Sequence, residues 1–293
     1  MISIYLKRLI LSTAFISLVY IFLQEDINNI SRLLEKYKDT PSSLNLSAYS
    51  VVIQAKPVDG IKENLSGLTW SAKHGMLFAV INNPPEIVWI TTEGKLTGKF
   101  SLPDIKDPEA IAWAGEDSFW IGSEKENTAW LLSVDITNKS YKPITKITFD
   151  DYNHPRNNGL EGLTWDNVER ELFAAKEKKP LIISKAKNIR EKITINTLKS
   201  SAVNFIKDIS GLHYYTPSSS LLLLSDESKK VLELNTNNVE KITDRLFLYA
   251  GWSGLTEDIP QAEGITIDDY DNLYIVSEPN LFYRFEKIKN PAL

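Results

Sequence analysis

The apolar and polar positions of this chain are organised around a six-residue phrase that occurs five times. The copies are Leu65-Ser66-Gly67-Leu68-Thr69-Trp70, Pro108-Glu109-Ala110-Ile111-Ala112-Trp113, Leu160-Glu161-Gly162-Leu163-Thr164-Trp165, Ile209-Ser210-Gly211-Leu212-His213-Tyr214 and Ala262-Glu263-Gly264-Ile265-Thr266-Ile267. Counted from the Ser/Glu position they start 43, 52, 49 and 53 residues apart. A second phrase follows each copy after 15 to 17 residues, an apolar run with a polar end: LFAVINN, SFWIGSE, ELFAAKE, LLLLSDE and NLYIVSE. Each run is short for a helix and rich in β-branched and aromatic residues, so it reads as a buried strand. Gly75, Gly115, Asp117 and the stretch 268–272 supply turn material between the two phrases, which makes each pair an antiparallel hairpin.

Third strands are expected at 87–91, 129–134, 181–184, 231–234 and 281–285, and fourth strands near 96–102 and 193–198. A period of about 50 residues with four strands per repeat is that of a β-propeller blade. The last repeat runs out of chain after its third strand. The segment 49–56, in which Val51 and Ile53 alternate with polar neighbours, is the expected fourth, joining the two ends of the chain. The fold class expected is therefore all-β, a five-bladed β-propeller over residues 49–293 closed by an N-terminal strand. About 245 residues suit five blades, and no sixth copy of the phrase occurs. A doubly wound α/β fold would need long amphipathic helices between strands, and these are not visible.

The first 48 residues follow a different pattern. Lys7 and Arg8 precede an uncharged apolar stretch, residues 9–23, which reads as a membrane anchor or a signal sequence within a segment 1–23. Gln24-Glu25-Asp26 offers no small-x-small cleavage site, which favours an uncleaved anchor. The basic flank would stay in the cytoplasm, placing the propeller in the periplasm with one pass through the inner membrane. Residues 24–48, with a possible short helix at 27–37 and a break at Thr40-Pro41-Ser42-Ser43, read as a stalk.

The chain has no cysteine, which excludes disulfides, thiol nucleophiles and thiolate metal sites. Its net charge is −5, and no Lys/Arg cluster suggests a nucleic-acid partner. In a blade the start of the first strand and the end of the second meet at one face. Glu109, Glu161 and Glu263 of the first phrase should therefore converge with Glu124, Glu177, Glu227 and Glu278, the last letters of the second, at one mouth of the central tunnel. Asn83 ends the remaining copy, and Asp226 and Lys176 are secondary candidates. Crowded carboxylates raise one another's pKa unless compensated, and oxygen-ligated Ca²⁺ is the simplest compensation. Bonds to the backbone of the next blade, or pairing with Lys125, Lys176, Lys178, Lys179 and Lys229, would satisfy the same glutamates without metal.

His74, His154 and His213 lack metal-ligand spacing, and Trp70, Trp113 and Trp165 recur at one repeat position, as blade packing does. The prolines after Asn82-Asn83 and after Glu278 mark turns that either shape a pocket or stiffen two loops. No nucleophile elbow, phosphate loop or HExxH is present.

The phrases NLSGLTW, LFAVINN, DPEAI, LEGLTW, IPQAEGI and YIVSEPNLFYRF together resemble the SdiA-regulated family, the YjiK/CarP-like β-propellers of Gram-negative bacteria, over residues 64–285. The resemblance implies an exported or inner-membrane-anchored propeller, a link to calcium response and a proposed similarity to propeller phytases. It carries over no catalytic residues. Three functions follow as expectations. The first is a membrane-tethered periplasmic propeller that binds calcium and a small ligand or periplasmic partner protein; the second, a calcium-dependent hydrolase of a phosphoester or lactone; the third, an interaction module without metal. A phosphate-binding enzyme would turn Lys176, Lys178, Lys179 or Arg284 toward the metal.

Overall fold

The computed structural model describes residues 43–152, 159–189, 192–239 and 241–288. The expected anchor at 9–23, most of the expected stalk, and His154 lie outside the described residues. Among those described, no helix is long and apolar enough to cross a membrane.

Twenty strands form five four-stranded antiparallel sheets. The chain enters through β1 (Tyr49–Pro57). Blade one comprises β2 (Leu65–Ser71), β3 (Met76–Ile81), β4 (Glu86–Ile90) and β5 (Leu96–Ser101). Blade two comprises β6 (Pro108–Trp113), β7 (Ser118–Ser123), β8 (Thr128–Asp135) and β9 (Ser140–Thr148). Blade three follows with β10 (Leu160–Asp166), β11 (Glu171–Lys176), β12 (Ile182–Lys187) and β13 (Thr194–Leu198), and blade four with β14 (Gly211–Tyr215), β15 (Ser220–Ser225), β16 (Lys230–Asn235) and β17 (Ile242–Phe247). Blade five has β18 (Ala262–Ile267), β19 (Leu273–Ser277) and β20 (Leu281–Lys287), and β1 completes it by pairing antiparallel with β20. The closure expected at 49–56 is thus observed. Fourth strands β9 and β17 carry little apolar signal and were not foreseen; both are outer strands with one face toward water.

The packing explains why the second phrases read as unbroken apolar runs. Successive side chains of a strand point to opposite faces, and a second strand is covered on both. Phe78 and Val80 pack toward Phe119 and Ile121 of blade two, whereas Leu77 and Ala79 pack toward Val276 and Phe282 of blade five. Leu221 and Leu223 likewise meet Phe173 and Ala175, while Leu222 and Leu224 meet Ile265 and Ile275. Five apolar clusters result, one in each gap between adjacent blades, and each buried side chain contributes roughly 1.5–3 kcal/mol.

The propeller begins earlier than residue 49. Leu44 and Leu46 are buried in the cluster between blades four and five, and Glu233 accepts hydrogen bonds from the Leu44 amide (3.0 Å) and the Ser43 hydroxyl (2.7 Å). Residues 43–48 therefore pack against the domain instead of forming the end of a stalk.

The first strands line the tunnel and are fastened to one another through the fifth position of the phrase. Thr69, Thr164 and Thr266 accept hydrogen bonds from the backbone amides of Trp113, Tyr214 and Trp70 at 2.8–3.0 Å, each crossing to another blade. His213 occupies the same position in blade four, with Nδ1 3.3 Å from Thr266 Oγ1. The third position must be small. A Cβ on Gly264 would lie 2.7 Å from the Leu68 amide nitrogen, and one on Gly67, whose φ is +40°, would lie 2.7 Å from the Glu109 carbonyl oxygen. Leu68, Ile111, Leu163, Leu212 and Ile265 close in at this level, leaving about 10 Å³ of space. The tunnel therefore narrows in the middle to about the width of one water, with a chamber at each mouth.

Candidate functional site

At one mouth lies a chamber of about 330 Å³. Glu109, Glu124, Glu161, Glu177, Glu227, Glu263 and Glu278, the seven glutamates singled out from the sequence, all line it. Among the described residues, Asp208 and Asp226 bring the acidic lining to nine, against a single lysine, Lys178, and Asn82, Ser210 and Gln261 are the other lining residues.

Backbone irregularity aims three of these carboxylates. The ladder between β10 and β11 steps from Leu160↔Lys176 to Gly162↔Ala175, leaving Glu161 without a partner. Glu109 is skipped in the same way between Pro108 and Ala110, and Glu263 between Ala262 and Gly264. A β-bulge turns the side chain of its extra residue out of the normal alternation, here into the tunnel mouth. Ser66 and Ser210, at the same phrase position, instead donate hydrogen bonds to the carbonyl oxygens of Glu109 (2.8 Å) and Ala262 (2.6 Å) on the next blade. The serine copies are blade fasteners, and the glutamate copies face the chamber.

The second phrases need a register correction. Gly162, Gly211, Gly264 and Ala110 pair with Ala175, Leu224, Val276 and Gly122, and the residue two beyond each partner enters the mouth. The equivalent residues are Asn82, Glu124, Glu177, Asp226 and Glu278. Aligning the phrases by their last letter misplaced two copies by one residue, because those copies continue with one more polar residue, Asn83 or Glu227. Asn83 is exposed and does not line the chamber, and its backbone carbonyl accepts from Asn64 Nδ2 (2.9 Å). Lys176 is also outside: it is buried in β11 and its amine donates to the carbonyl oxygens of Lys178 and Lys179. Lys179 is exposed, and Arg284, on the third strand of blade five, pairs with Glu93 and Glu286.

The carboxylates differ in how far they are already satisfied. Asp226 pairs with Lys229 (2.6 Å) and accepts from the Ala262 amide (3.0 Å), and Asp208 accepts from Ser225 Oγ and the Glu227 amide. Lys178 bridges Glu177 (2.6 Å) and Glu227 (2.9 Å). Glu109 accepts from Asn82 Nδ2 (2.6 Å), and Glu124 from the Gly159 amide (3.1 Å). Carboxylate oxygens of Glu124, Glu161 and Glu177 lie within 4.8 Å of one another, as do those of Asp107, Glu109 and Glu124. Glu124 belongs to both groups.

Burial, followed by repulsion from its neighbours, raises Glu263 to about 9, and burial raises Glu109 to about 7 against the bond from Asn82. Glu161 is pushed well above the ordinary range by burial and then by Glu109, Glu124, Glu263 and Glu177. Glu124, Glu177, Glu278 and Asp208 are also raised, with burial the leading cause. Glu227 alone among the lining acids is lowered, by its bond to Lys178. With no cation the chamber thus favours holding protons. The oxygen-only donor set and the two triads sharing Glu124 suit a hard divalent cation that would displace those protons.

A five-bladed propeller whose ring is closed by its N-terminal strand and whose tunnel mouth is lined with carboxylates defines the class of this protein. The family model described as SdiA-regulated matches residues 41–286, and the chain belongs to that family. Among solved structures, the glutaminyl cyclase of Myxococcus xanthus superposes with a TM-score of 0.60 at 12% identity, covering 81% of this chain and 95% of that one. A luciferin-regenerating enzyme superposes with a TM-score of 0.53 at 13% identity, over 82% of this chain and 96% of its own. At such identities the likeness extends to the fold alone.

Proposed function

We propose that this protein is a cation-binding propeller whose acidic mouth holds calcium and presents the ion to a small ligand or a partner protein. The observation that carries this reading is the pair of carboxylate triads sharing Glu124, in a chamber where bulges turn Glu109, Glu161 and Glu263 inward and the one lysine among the described lining residues is already bridged between two glutamates. Glu124, Glu161 and Glu177 are the residues that would hold the ion, with Asp107 and Glu109 as a second group. Calcium tolerates the irregular, multi-carboxylate geometry that blades of unequal sequence provide.

The chamber is less suited to hydrolysis of a phosphoester. Such an enzyme needs free cationic groups facing the metal, yet Lys176 and Arg284 are directed elsewhere and Lys178 is spent on Glu177 and Glu227. The binding reading is therefore preferred to the hydrolase.

The same proposal includes tethering to the inner membrane through residues 9–23 with the propeller in the periplasm, supported by the basic flank and the uncharged apolar run. Protease added to spheroplasts should digest the membrane-bound full-length chain, and recovery of a shortened chain free in the periplasm would overturn the tether.

Calorimetric titration with calcium at pH 7 tests the site itself. Because Glu263 and Glu161 hold protons in the cation-free chamber, binding should release protons, and the observed heat should change with the ionisation enthalpy of the buffer. Absence of any calcium heat in buffers of different ionisation enthalpy would overturn the reading.

A further inference from the structure

The opposite mouth of the tunnel holds a second chamber of about 340 Å³, which the pinch of Leu68, Ile111, Leu163, Leu212 and Ile265 separates from the acidic one. It is at the small end of the range for ligand pockets. The same phrase that delivers glutamates to one mouth builds it. Four positions beyond each Ser/Glu, about 13 Å further along an extended strand, come Trp70, Trp113, Trp165 and Tyr214, so that four consecutive blades each contribute one half-buried aromatic ring.

Each ring packs on one side against a core cluster between blades, and Tyr214 also stacks on Phe173 with 5.3 Å between ring centroids, so the chamber meets their remaining surface. Trp70 donates its ring N–H to Asp269 (3.1 Å) and Trp113 donates its own to the Glu116 carbonyl oxygen (2.8 Å), so what both leave for the chamber is ring surface. Among the described residues no lysine or arginine lines the chamber, but three aspartates do. Asp271 is compensated by Lys287 (2.6 Å) and Tyr215 (2.7 Å). Asp268 and Asp269 have no cationic partner: Asp268 is buried and held by the amides of Tyr270 and Asn272, the Asn272 side chain and the Tyr274 hydroxyl. His213, the one lining residue able to supply a positive charge, is held neutral by burial, which lowers it to about 4. Aromatic rings offer a negative face, and uncompensated carboxylates reinforce it.

We propose that this second mouth binds a small organic cation, an alkylated or quaternary ammonium group, against Trp70, Trp113, Trp165 and Tyr214, with Asp268 and Asp269 supplying the counter-charge. The site is independent of the acidic mouth and does not rest on calcium binding there.

Three of the seven tryptophans line the chamber, so intrinsic fluorescence reports on it directly. The test is a titration of the full chain with choline and with 3,3-dimethyl-1-butanol, its uncharged shape analogue, in saturating calcium chloride so that the acidic mouth does not compete. Choline should give a saturable change, and the alcohol should bind about tenfold more weakly. Asp269→Asn, on the exposed rim, and Trp113→Leu should each weaken choline by about three- to tenfold. If Trp113→Leu fails to fold, Asp269→Asn alone decides. Equal binding of choline and the alcohol would overturn the proposal, as would a change that does not saturate or one that is insensitive to the rim variant. A choline signal present only in chelator and lost in calcium would place the ammonium at the acidic mouth and overturn it equally.

Discussion

Replacing Glu263 by glutamine separates a carboxylate strained by burial from a blade fastener. In the cation-free protein Glu263 is raised from 4.5 to about 9, chiefly by burial and then by Glu109, Glu278 and Asp226. An acid whose folded value lies above its unfolded one gives stability that is complete below the unfolded value and lost as pH rises toward the folded value. At pH 7 the unfolded chain ionises this residue and the native state does not, a penalty spanning two and a half pH units at about 1.4 kcal/mol each, roughly 3 kcal/mol. Glutamine keeps the shape and cannot ionise, so in chelator at pH 7 Glu263→Gln should stabilise the protein by up to about 3 kcal/mol. That corresponds to a rise of about 6–12 °C in Tm for a domain of this size. At pH 5 only half a unit of the penalty remains, and the gain should shrink to about 0.7 kcal/mol. Thermal melts followed by circular dichroism at both pH values measure the difference, and added calcium should raise the wild-type Tm more than that of the variant. A variant that is destabilised by the same amount at pH 5 and pH 7, whether or not calcium is present, would refute the reasoning and mark Glu263 as a structural bond.

Two further outcomes test the frame that holds the site. Thr164→Val removes the acceptor of the Tyr214 amide and should cost about 1–2 kcal/mol in urea unfolding while leaving the calcium response unchanged; a lost calcium response would show that this fastener also positions the mouth. A chain beginning at Ser43 should melt cooperatively, whereas one beginning at Val58 lacks β1, exposes the edge of β20 and should aggregate on expression. Equal behaviour of the two in size-exclusion chromatography would sink the closure argument.

Repetition made the blades legible. Each copy of the phrase predicts the same strand, so a weak local signal is reinforced five times, and the closing strand follows from the missing fourth strand of the last repeat. The convergence of all seven glutamates was legible for the same reason. What the pattern could not carry was register at a strand's polar end. Ser225-Asp226-Glu227 offers two acids in a row, and only pairing with the first strand shows that Asp226 is equivalent to Glu177 while Glu227 sits beyond it, bonded to Lys178. Asp208 was missed because it precedes the phrase, where the other copies read Asn64, Asp107, Gly159 and Gln261 and show no common chemistry. The outer strands β9 and β17 were missed because one face of each meets water and the apolar alternation fades. The tryptophans illustrate a different limit: a repeated aromatic reads as packing from sequence, and only the pinched tunnel shows that three of them border a chamber.

The departures from five-fold repetition determine where an ion would sit. Were every blade to carry an acid at the mouth-facing end of its second strand and glutamate at the second position of the phrase, ten symmetric carboxylates would surround the axis and favour none of its sectors. Blades one and four carry serine instead, and those serines turn back to fasten the next blade. On the blade-four side the remaining acids are compensated locally, Asp226 by Lys229 and Glu227 by Lys178. The two triads capable of holding a cation therefore fall on blades two and three, drawn from Asp107, Glu109, Glu124, Glu161 and Glu177. An ion held there would sit against the wall that blades two and three contribute to the 330 Å³ chamber, whose lining also includes Glu263 and Glu278. A chamber of that volume is larger than a single ion requires, so a ligand or a group of a partner protein would have room beside it.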